Sequence, residues 1–198
     1  MKLMPIILLV LLTGCSKRNY FPDEDDSGLS RFTSRGYNIV TAYINNVPYI
    51  NPYHNSIFGG GSNTVPMLSK ISTNSTFDTL SISWEIGINE NGEATFNSQY
   101  YSISLLIPIP KSFNQNNFLQ LSGTRSDSNQ IQLNSFINQP SSLAGKSNIY
   151  FVQIKVDNSI TSSAHYIISG LFDGNIGNNI LITKGRFDFE IDASTLNF

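Results

Sequence analysis

Apolar and polar residues alternate along most of the chain from Tyr37 onward, which is the pattern of strands with one buried face. The clearest example is TLSISWEIGIN, and the run YYSISLLIPIP alternates in the same way. Asn91-Gly92 lies between these runs, and this pair is common in tight turns. The two runs therefore predict a long antiparallel hairpin. The inward positions predicted for the first run are Leu80, Ile82, Trp84, Ile86 and Ile88.

Shorter alternating runs predict the remaining strands. NIVTAYI and VPYINPY are separated by Asn45-Asn46, and asparagine tolerates the positive φ of a two-residue hairpin turn. QIQLNSF, IYFVQIKV and AHYIISGLF predict three further strands. In the closing runs NILITK and RFDFEID, Phe187 is expected to face inward and Asp188 to face water, and Gly185 between the runs predicts a bulge.

The pattern contains little helix. No segment of twelve or more residues keeps a 3.6-residue apolar period, so we expect no helix beyond a turn near Ser112 to Asn117. Eight to ten short strands, each with one apolar face, predict an all-β fold, specifically an antiparallel β-sandwich formed by a single domain over residues 37–198. A small up-and-down β-barrel is the alternative, because periodicity does not report whether the sheet closes.

The first residues have the features of a secretory signal peptide. Lys2 supplies a positive charge, about ten apolar residues follow as far as Leu12, and the small pair Thr13-Gly14 comes next. A membrane-spanning helix needs roughly twenty apolar residues, about twice this run, which also contains Pro5. Residues 1–14 are therefore predicted to be a cleaved signal peptide.

Leu12-Thr13-Gly14-Cys15 resembles the bacterial lipobox. The resemblance implies cleavage between Gly14 and Cys15, diacylglycerol on the Cys15 thiol, and a stable lipid anchor in the outer membrane, facing either the periplasm or the cell surface. Cys15 is the only cysteine, so its lipidation leaves no thiol for a disulfide, a metal site or a nucleophile. The alternative is an unmodified cysteine, either after an ordinary signal peptide or in a cytoplasmic protein.

Polar residues continue for about twenty positions behind Cys15. Residues 15–36 lack an apolar period and are predicted to form a flexible tether, because such composition buries too little surface to offset ordering. The acidic run Asp23-Glu24-Asp25-Asp26 could suggest calcium, but adjacent carboxylates without fixed geometry favour a solvated charge run.

Charge is sparse in this chain. Charged residues make up 13% of it, about half the share of an average soluble domain, and the net charge is −2. No basic face with interleaved aromatic residues is present, so nucleic acid is not an expected partner. The expected partners are the membrane, through the lipid, and a glycan or a protein.

The combination of lipobox, polar tether and β-domain resembles a family of uncharacterised lipoproteins of the Bacteroidota. The opening hairpin VTAYINNVPYI resembles the family's first strands through Ala42, Asn45 and Tyr49. The closing segment ILITKGRFDFEI resembles the family's final strand through its I-x-I-T-x-G-x-F-D pattern. The resemblance implies an all-β domain on a membrane anchor, and it supplies no functional residues because the family has no assigned activity.

Two loop motifs and two histidines are candidates for phosphate, calcium or zinc sites. PSSLAGKSN ends in the Gly-Lys-Ser of a phosphate loop, but a strand rather than a helix follows, which favours a polar loop entering a strand. DGNIGNN begins like a calcium loop, but Lys184 occupies the place of the bidentate carboxylate, which favours a hairpin turn. His54 and His165 do not make a zinc site, and His165 is predicted to be exposed. No metal and no cofactor are expected.

A loop rich in tyrosine and asparagine is the candidate ligand-binding region. Loops carry binding more often than sheets do, and aromatic faces beside amides suit sugar rings. The alternative is that the aromatic residues simply fill the core of a β-fold. The candidate binding residues are Tyr49, Tyr53, His54 and Asn55.

Thr79 is a candidate modification site. The segment FDTL resembles the Asp-Thr-apolar acceptor of O-glycosylation in the Bacteroidota. A modified Thr79 would be expected at an exposed strand entrance.

No catalytic motif is present, and the chain is not predicted to be an enzyme. Gly-x-Ser-x-Gly is absent, and a glycosidase would need two carboxylates at a fixed separation, which sequence spacing does not report. We therefore expect a non-catalytic binding or structural lipoprotein. The alternatives are a carbohydrate-binding module of a surface glycan system and a hydrolase that uses loop carboxylates. The carboxylates available to a hydrolase are Asp78, Glu85, Glu90, Glu93, Asp127, Asp157 and Asp173.

Overall fold

A computed structural model describes residues 22–51, 66–90, 93–135, 141–157 and 165–192. These residues form nine antiparallel strands and one short helix. The strands are Ile39–Ile44 (β1), Val47–Ile50 (β2), Met67–Ser72 (β3), Phe77–Glu90 (β4), Glu93–Pro110 (β5), Arg125–Ser135 (β6), Ser141–Asp157 (β7), His165–Ile176 (β8) and Ile180–Asp192 (β9), and the helix is Gln115–Gln120 (α1).

Eight of the strands pair into a closed ring. β4 to β9 follow one another as a meander, β9 pairs with β1, β1 pairs with β2, and β2 pairs back with β4. β3 lies beside β2 on the same edge of β4. The prediction of an all-β antiparallel fold is confirmed. Because the pairing of β2 with β4 joins the two ends of the sheet, the hydrogen bonds form a ring, as they do in a β-barrel.

The hairpins predicted from alternation are present. β4 and β5 pair along their length, with Trp84 opposite Ile103. β1 and β2 are joined by Asn45 and Asn46, which both adopt the positive φ expected of a tight turn. The predicted bulge near Gly185 is also confirmed, because the register of β9 shifts between residues 182 and 185 and Lys184 has a φ of 51°.

The inward faces meet in one continuous hydrophobic cluster inside the ring. The inward residues predicted for β4 belong to this interior, and alternate residues of β5 from Tyr101 to Ile109 join them. α1 adds Phe118, which is fully buried against Tyr166 with ring centroids 5.4 Å apart. Asn114 caps this helix by accepting from the backbone N–H of Asn116 and Asn117, so the predicted turn is present about three residues later than expected.

The structure corrects the predicted tether over part of its length. Residues 22–37, here called the strap, lie against the outer face of β1 and β9, and Leu29 within the strap is 0% exposed. The backbone carbonyl of Ser30 accepts a hydrogen bond from Arg186 of β9, and the Gly28 carbonyl accepts one from Asn89 of β4. Composition alone did not predict this ordered segment. The strap buries only one apolar residue, and its many polar groups form hydrogen bonds and ion pairs with residues of the sheet.

Asp188 holds the second half of the strap. It points out of the ring, as predicted, but it is only 1% exposed because the strap covers it, so the expectation that it faces water is wrong. Its carboxylate accepts from the Thr33 hydroxyl, from the Arg35 N–H at 3.1 Å and from the Gly36 N–H at 2.8 Å. A buried carboxylate needs such donors, so Asp188 and the strap stabilise each other.

Within the described residues, no helix is long and apolar enough to cross a bilayer. The one helix found there, α1, has six residues. This helix connects the end of β5 to the start of β6. Its buried Phe118 closes that end of the ring.

Candidate functional site

The candidate site is an open groove of about 830 Å³ on the outer face of β7, β8 and β9. Its floor contains two apolar side chains on neighbouring strands, Tyr150 of β7 and Leu171 of β8, which pair with each other in the sheet. They are 41% and 39% exposed. Its volume lies within the range of ligand-binding clefts, and its apolar floor is a common property of such sites.

The groove exists because the strap stops short of these two side chains. One row of paired residues crosses four strands here, in the order Arg125, Tyr150, Leu171 and Arg186. The strap covers the β9 end of this row and leaves the middle open. Asp23 and Phe32 of the strap line the groove, so the segment predicted as a tether forms one of its walls.

The opposite side of the groove is polar. Asn148 of β7 and Asp173 of β8 face each other across the sheet, and the Asn148 amide donates to the Asp173 carboxylate at 2.9 Å. Arg125 lies beside them and is bound to Asp127 at 2.6 Å. Amide, carboxylate and guanidinium groups therefore offer both donors and acceptors around an apolar floor.

The charges that line the groove have partners of opposite sign or an amide. Arg186 contacts Asp23 at 2.5 Å, and Lys184 contacts Asp26 at 2.8 Å. The hydrogen bond from Arg186 lowers the pKa of Asp23 below its ordinary value of 3.8. The hydrogen bonds from Lys184 and Tyr43 lower the pKa of Asp26 in the same way. A general acid at neutral pH needs a raised pKa, so these carboxylates are suited to ion pairing and not to general-acid catalysis.

The predicted ligand-binding residues do not form the groove. Tyr49 is a core residue of β2 that is 2% exposed, with its ring centroid 5.7 Å from that of Tyr101, and burial raises its pKa. The sequence places Tyr49 in the run VPYINPY beside the candidate binding loop, whereas the pairing of β2 with β4 places its side chain inside the ring. Tyr53, His54 and Asn55 lie outside the described residues, as do Gly14 and Cys15.

Thr79 and His165 have local partners. Thr79 lies in β4 between Ile71 and Pro108, and its hydroxyl is 2.6 Å from that of Thr73. His165 was expected to be exposed, but its side chain is only 19% exposed and its Nδ1 lies 3.2 Å from a carboxylate oxygen of Glu190. The hairpin of β8 and β9 is predicted from the sequence, but its register is not, because a bulge shifts the pairing between Phe172 and Gly174.

Three of the carboxylates considered for hydrolysis have structural partners. Asp78 is buried, and its carboxylate contacts Lys111 at 2.5 Å and Lys70 at 3.6 Å. These lysines, Lys111 foremost, lower the pKa of Asp78. Asp127 and Asp173 are bound to Arg125 and Asn148 as described above. Among the described residues, no group of three or more histidine, cysteine or acidic side chains could hold a metal ion.

Sequence reasoning missed Tyr150 and Leu171, although a signal was present. Each one interrupts the alternation of its strand, because it stands next to the buried Phe151 or Phe172 at a position where a polar residue is expected. An apolar residue on the outward face of a strand is either covered by another element or exposed. The strap covers the neighbouring β9 and leaves these two exposed.

The opening and closing strands of the domain, β1 and β9, lie side by side in the ring. Asn45 joins them directly, since its backbone N–H donates to the Leu181 carbonyl and its side chain accepts from the Leu181 N–H. The role of Asn45 in the described residues is therefore structural. No family model matches the chain, and comparisons with curated proteins and with solved structures found no match.

Proposed function

We propose that this chain is a lipid-anchored exported lipoprotein of the outer membrane whose β-domain binds a ligand without catalysis. The observation that carries the binding role is the open groove with an apolar floor and a polar rim of paired charges. Such a site can hold a ligand by contact and hydrogen bonding. Because its pKa is lowered, the Asp23 carboxylate is not suited to act as a general acid in the groove.

The lipid anchor is proposed from the sequence. The apolar run that ends in Leu12-Thr13-Gly14-Cys15 supports it, as does the resemblance of the opening and closing strands to Bacteroidota lipoproteins. The domain would then lie on the periplasmic face of the outer membrane or on the cell surface, and Cys15 would be the first residue of the mature protein.

The anchor has a direct test. The Cys15→Ala variant is expected to lose the lipid, because the thiol is the attachment atom, and to appear as an uncleaved or soluble form. Intact-mass measurement and membrane fractionation would show this, with Ser16→Ala as the control that keeps the lipid. An unmodified Cys15 thiol in the wild-type protein from its native host would contradict the proposal.

A carbohydrate is the second candidate that a specific observation supports. Tyr150 presents an exposed ring on the groove floor, and the Asn148–Asp173 pair lies on the adjacent rim. A sugar ring has an apolar face and hydroxyl groups that both donate and accept hydrogen bonds. Because the groove charges are paired, a neutral saccharide suits it better than an ionic ligand.

Titration calorimetry with neutral oligosaccharides tests this candidate. We expect one of cellohexaose, maltohexaose, xylohexaose or mannohexaose to bind, and Tyr150→Ala to weaken that binding roughly tenfold because it removes the stacking ring. Leu143→Ala is the matched control, since Leu143 is an exposed apolar residue of the same strand outside the groove. If no sugar binds, or if both variants lose affinity equally, the carbohydrate assignment is wrong.

A further inference from the structure

The strap shortens the connection between the domain and the proposed lipid anchor. Asp23, near the start of the strap, is bound to Arg186, and its backbone N–H donates to the Leu29 carbonyl at 2.9 Å. Asp26 follows with contacts to Lys184 and Tyr43. The chain is thus held to the sheet from Asp23 onward, and only residues 16–22 separate this point from Cys15.

Covalent geometry limits how far the groove can be from the membrane. Cys15 and Asp23 are eight residues apart, and an extended chain spans at most about 3.5 Å per residue, so the separation is at most about 28 Å. This bound holds for any conformation of residues 16–22. With the strap released, the connection would extend to Ile39 in β1, twenty-four residues from Cys15, and could reach about 84 Å.

Asp23 is also part of the groove wall, so this limit applies to the site itself. We propose that the docked strap holds the groove within about 30 Å of the membrane that carries the anchor, where ligands presented at that membrane surface are within its reach. This inference depends on the lipid anchor proposed above. It does not depend on which ligand binds.

Asp188 is the residue that positions the strap. It is buried, and its carboxylate accepts hydrogen bonds from the Thr33 hydroxyl and from the backbone N–H groups of Arg35 and Gly36. These three residues lie in the second half of the strap. Gly36 has a φ of 73°, which favours glycine, and a Cβ there would lie 3.1 Å from the Cβ of Glu190. Loss of the Asp188 carboxylate would leave these donors without their acceptor, so release of the strap is the expected result.

Energy transfer to the membrane measures the distance. The lipidated full-length protein would be reconstituted in vesicles that contain phosphatidylethanolamine and phosphatidylglycerol in a ratio of about 3:1. A rhodamine-labelled lipid in the same vesicles serves as the acceptor. A donor dye is attached at Asn175→Cys, near the groove in β8, or at Asn116→Cys in α1, at the opposite end of the ring. Both positions are exposed, and the thioether at Cys15 leaves the introduced cysteine as the single free thiol.

We expect stronger transfer from position 175 than from position 116. Insertion of twenty Gly/Ser residues between Ser16 and Lys17 raises the average span of the connection from about 16 Å to about 29 Å and is expected to lower transfer from position 175 at least twofold. Equal transfer from both positions, or no effect of the insertion, would overturn the inference while the protein remains anchored. If intact mass instead shows no lipid and the protein does not join the vesicles, the anchor itself is wrong.

Asp188→Asn tests the positioning residue separately. Trypsin is expected to cleave after Arg31 or Arg35 in this variant at least tenfold faster than in Asp192→Asn, a matched change four residues along β9. Transfer from position 175 should fall in parallel, as the strap is released. Unchanged cleavage in a folded Asp188→Asn protein would overturn the role of Asp188. If circular dichroism shows that this variant does not fold, the linker insertion still tests whether the groove is held near the membrane. The insertion alters no residue of the folded domain.

Discussion

Replacement of Trp84 with alanine is expected to lower the free energy of unfolding by about 3–5 kcal/mol. Trp84 is 2% exposed, and its ring lies 5.2 Å from that of Phe172 and 6.4 Å from that of Phe187. Alanine would leave a large cavity beside aromatic rings of two other strands, β8 and β9. Urea unfolding followed by circular dichroism measures the change, since Trp84 is the only tryptophan and its fluorescence is lost.

Trp84→Phe is the control for this prediction. The indole N–H of Trp84 has no hydrogen-bond partner among the described residues, so phenylalanine removes volume without leaving an acceptor unpaired. Its loss of stability is expected to be clearly smaller than that of the alanine variant. An alanine variant within about 1 kcal/mol of the wild type would show that this part of the core is loosely packed.

Substitution of Gly145 with alanine is expected to destabilise the protein by about 3 kcal/mol, at the upper end for overpacking. A Cβ at this position would lie 2.0 Å from the Asn175 carbonyl oxygen and 2.6 Å from the Ile176 Cα. Both atoms belong to the backbone of β8, which cannot move aside without a break in its pairing with β7. The midpoint of urea unfolding should fall accordingly.

Gly123→Ala separates this close contact from backbone strain. Gly123 has a φ of 74°, but nothing lies within 4 Å of a Cβ placed there. Its substitution should therefore cost only about 1 kcal/mol, the energy of a left-handed backbone conformation. Equal losses in the two variants would contradict the contact with β8.

Gly145 also shows where local reasoning fails. It belongs to the Gly-Lys-Ser segment, which was interpreted as a polar loop before a strand, yet β7 already begins at Ser141. The mixture of small and polar residues in SSLAGKSN concealed the strand, because alternation requires apolar residues at every second position. Here the strand is maintained by its pairing with Ile131 of β6 and Ile176 of β8.

The groove could be predicted only in part. Tyr150 and Leu171 were visible as apolar residues on outward positions of their strands. Their meeting across β7 and β8 depends on the register of those strands, with Tyr150 opposite Leu171. Register follows from the bulges and from the closure of the ring, and neither can be read from one strand alone.

The sequence by itself determined the all-β fold, the inward faces of β4 and of the second half of β5, and the turn at Asn45 and Asn46. These properties are local, because side chains alternate every second residue and a tight turn needs a positive φ. Only the tertiary structure decided that the ring closes, that Asp188 is buried, and that the strap walls a groove. Each of these depends on residues far apart in the chain, such as Thr33 and Asp188, and their contact forms only when the strands pair.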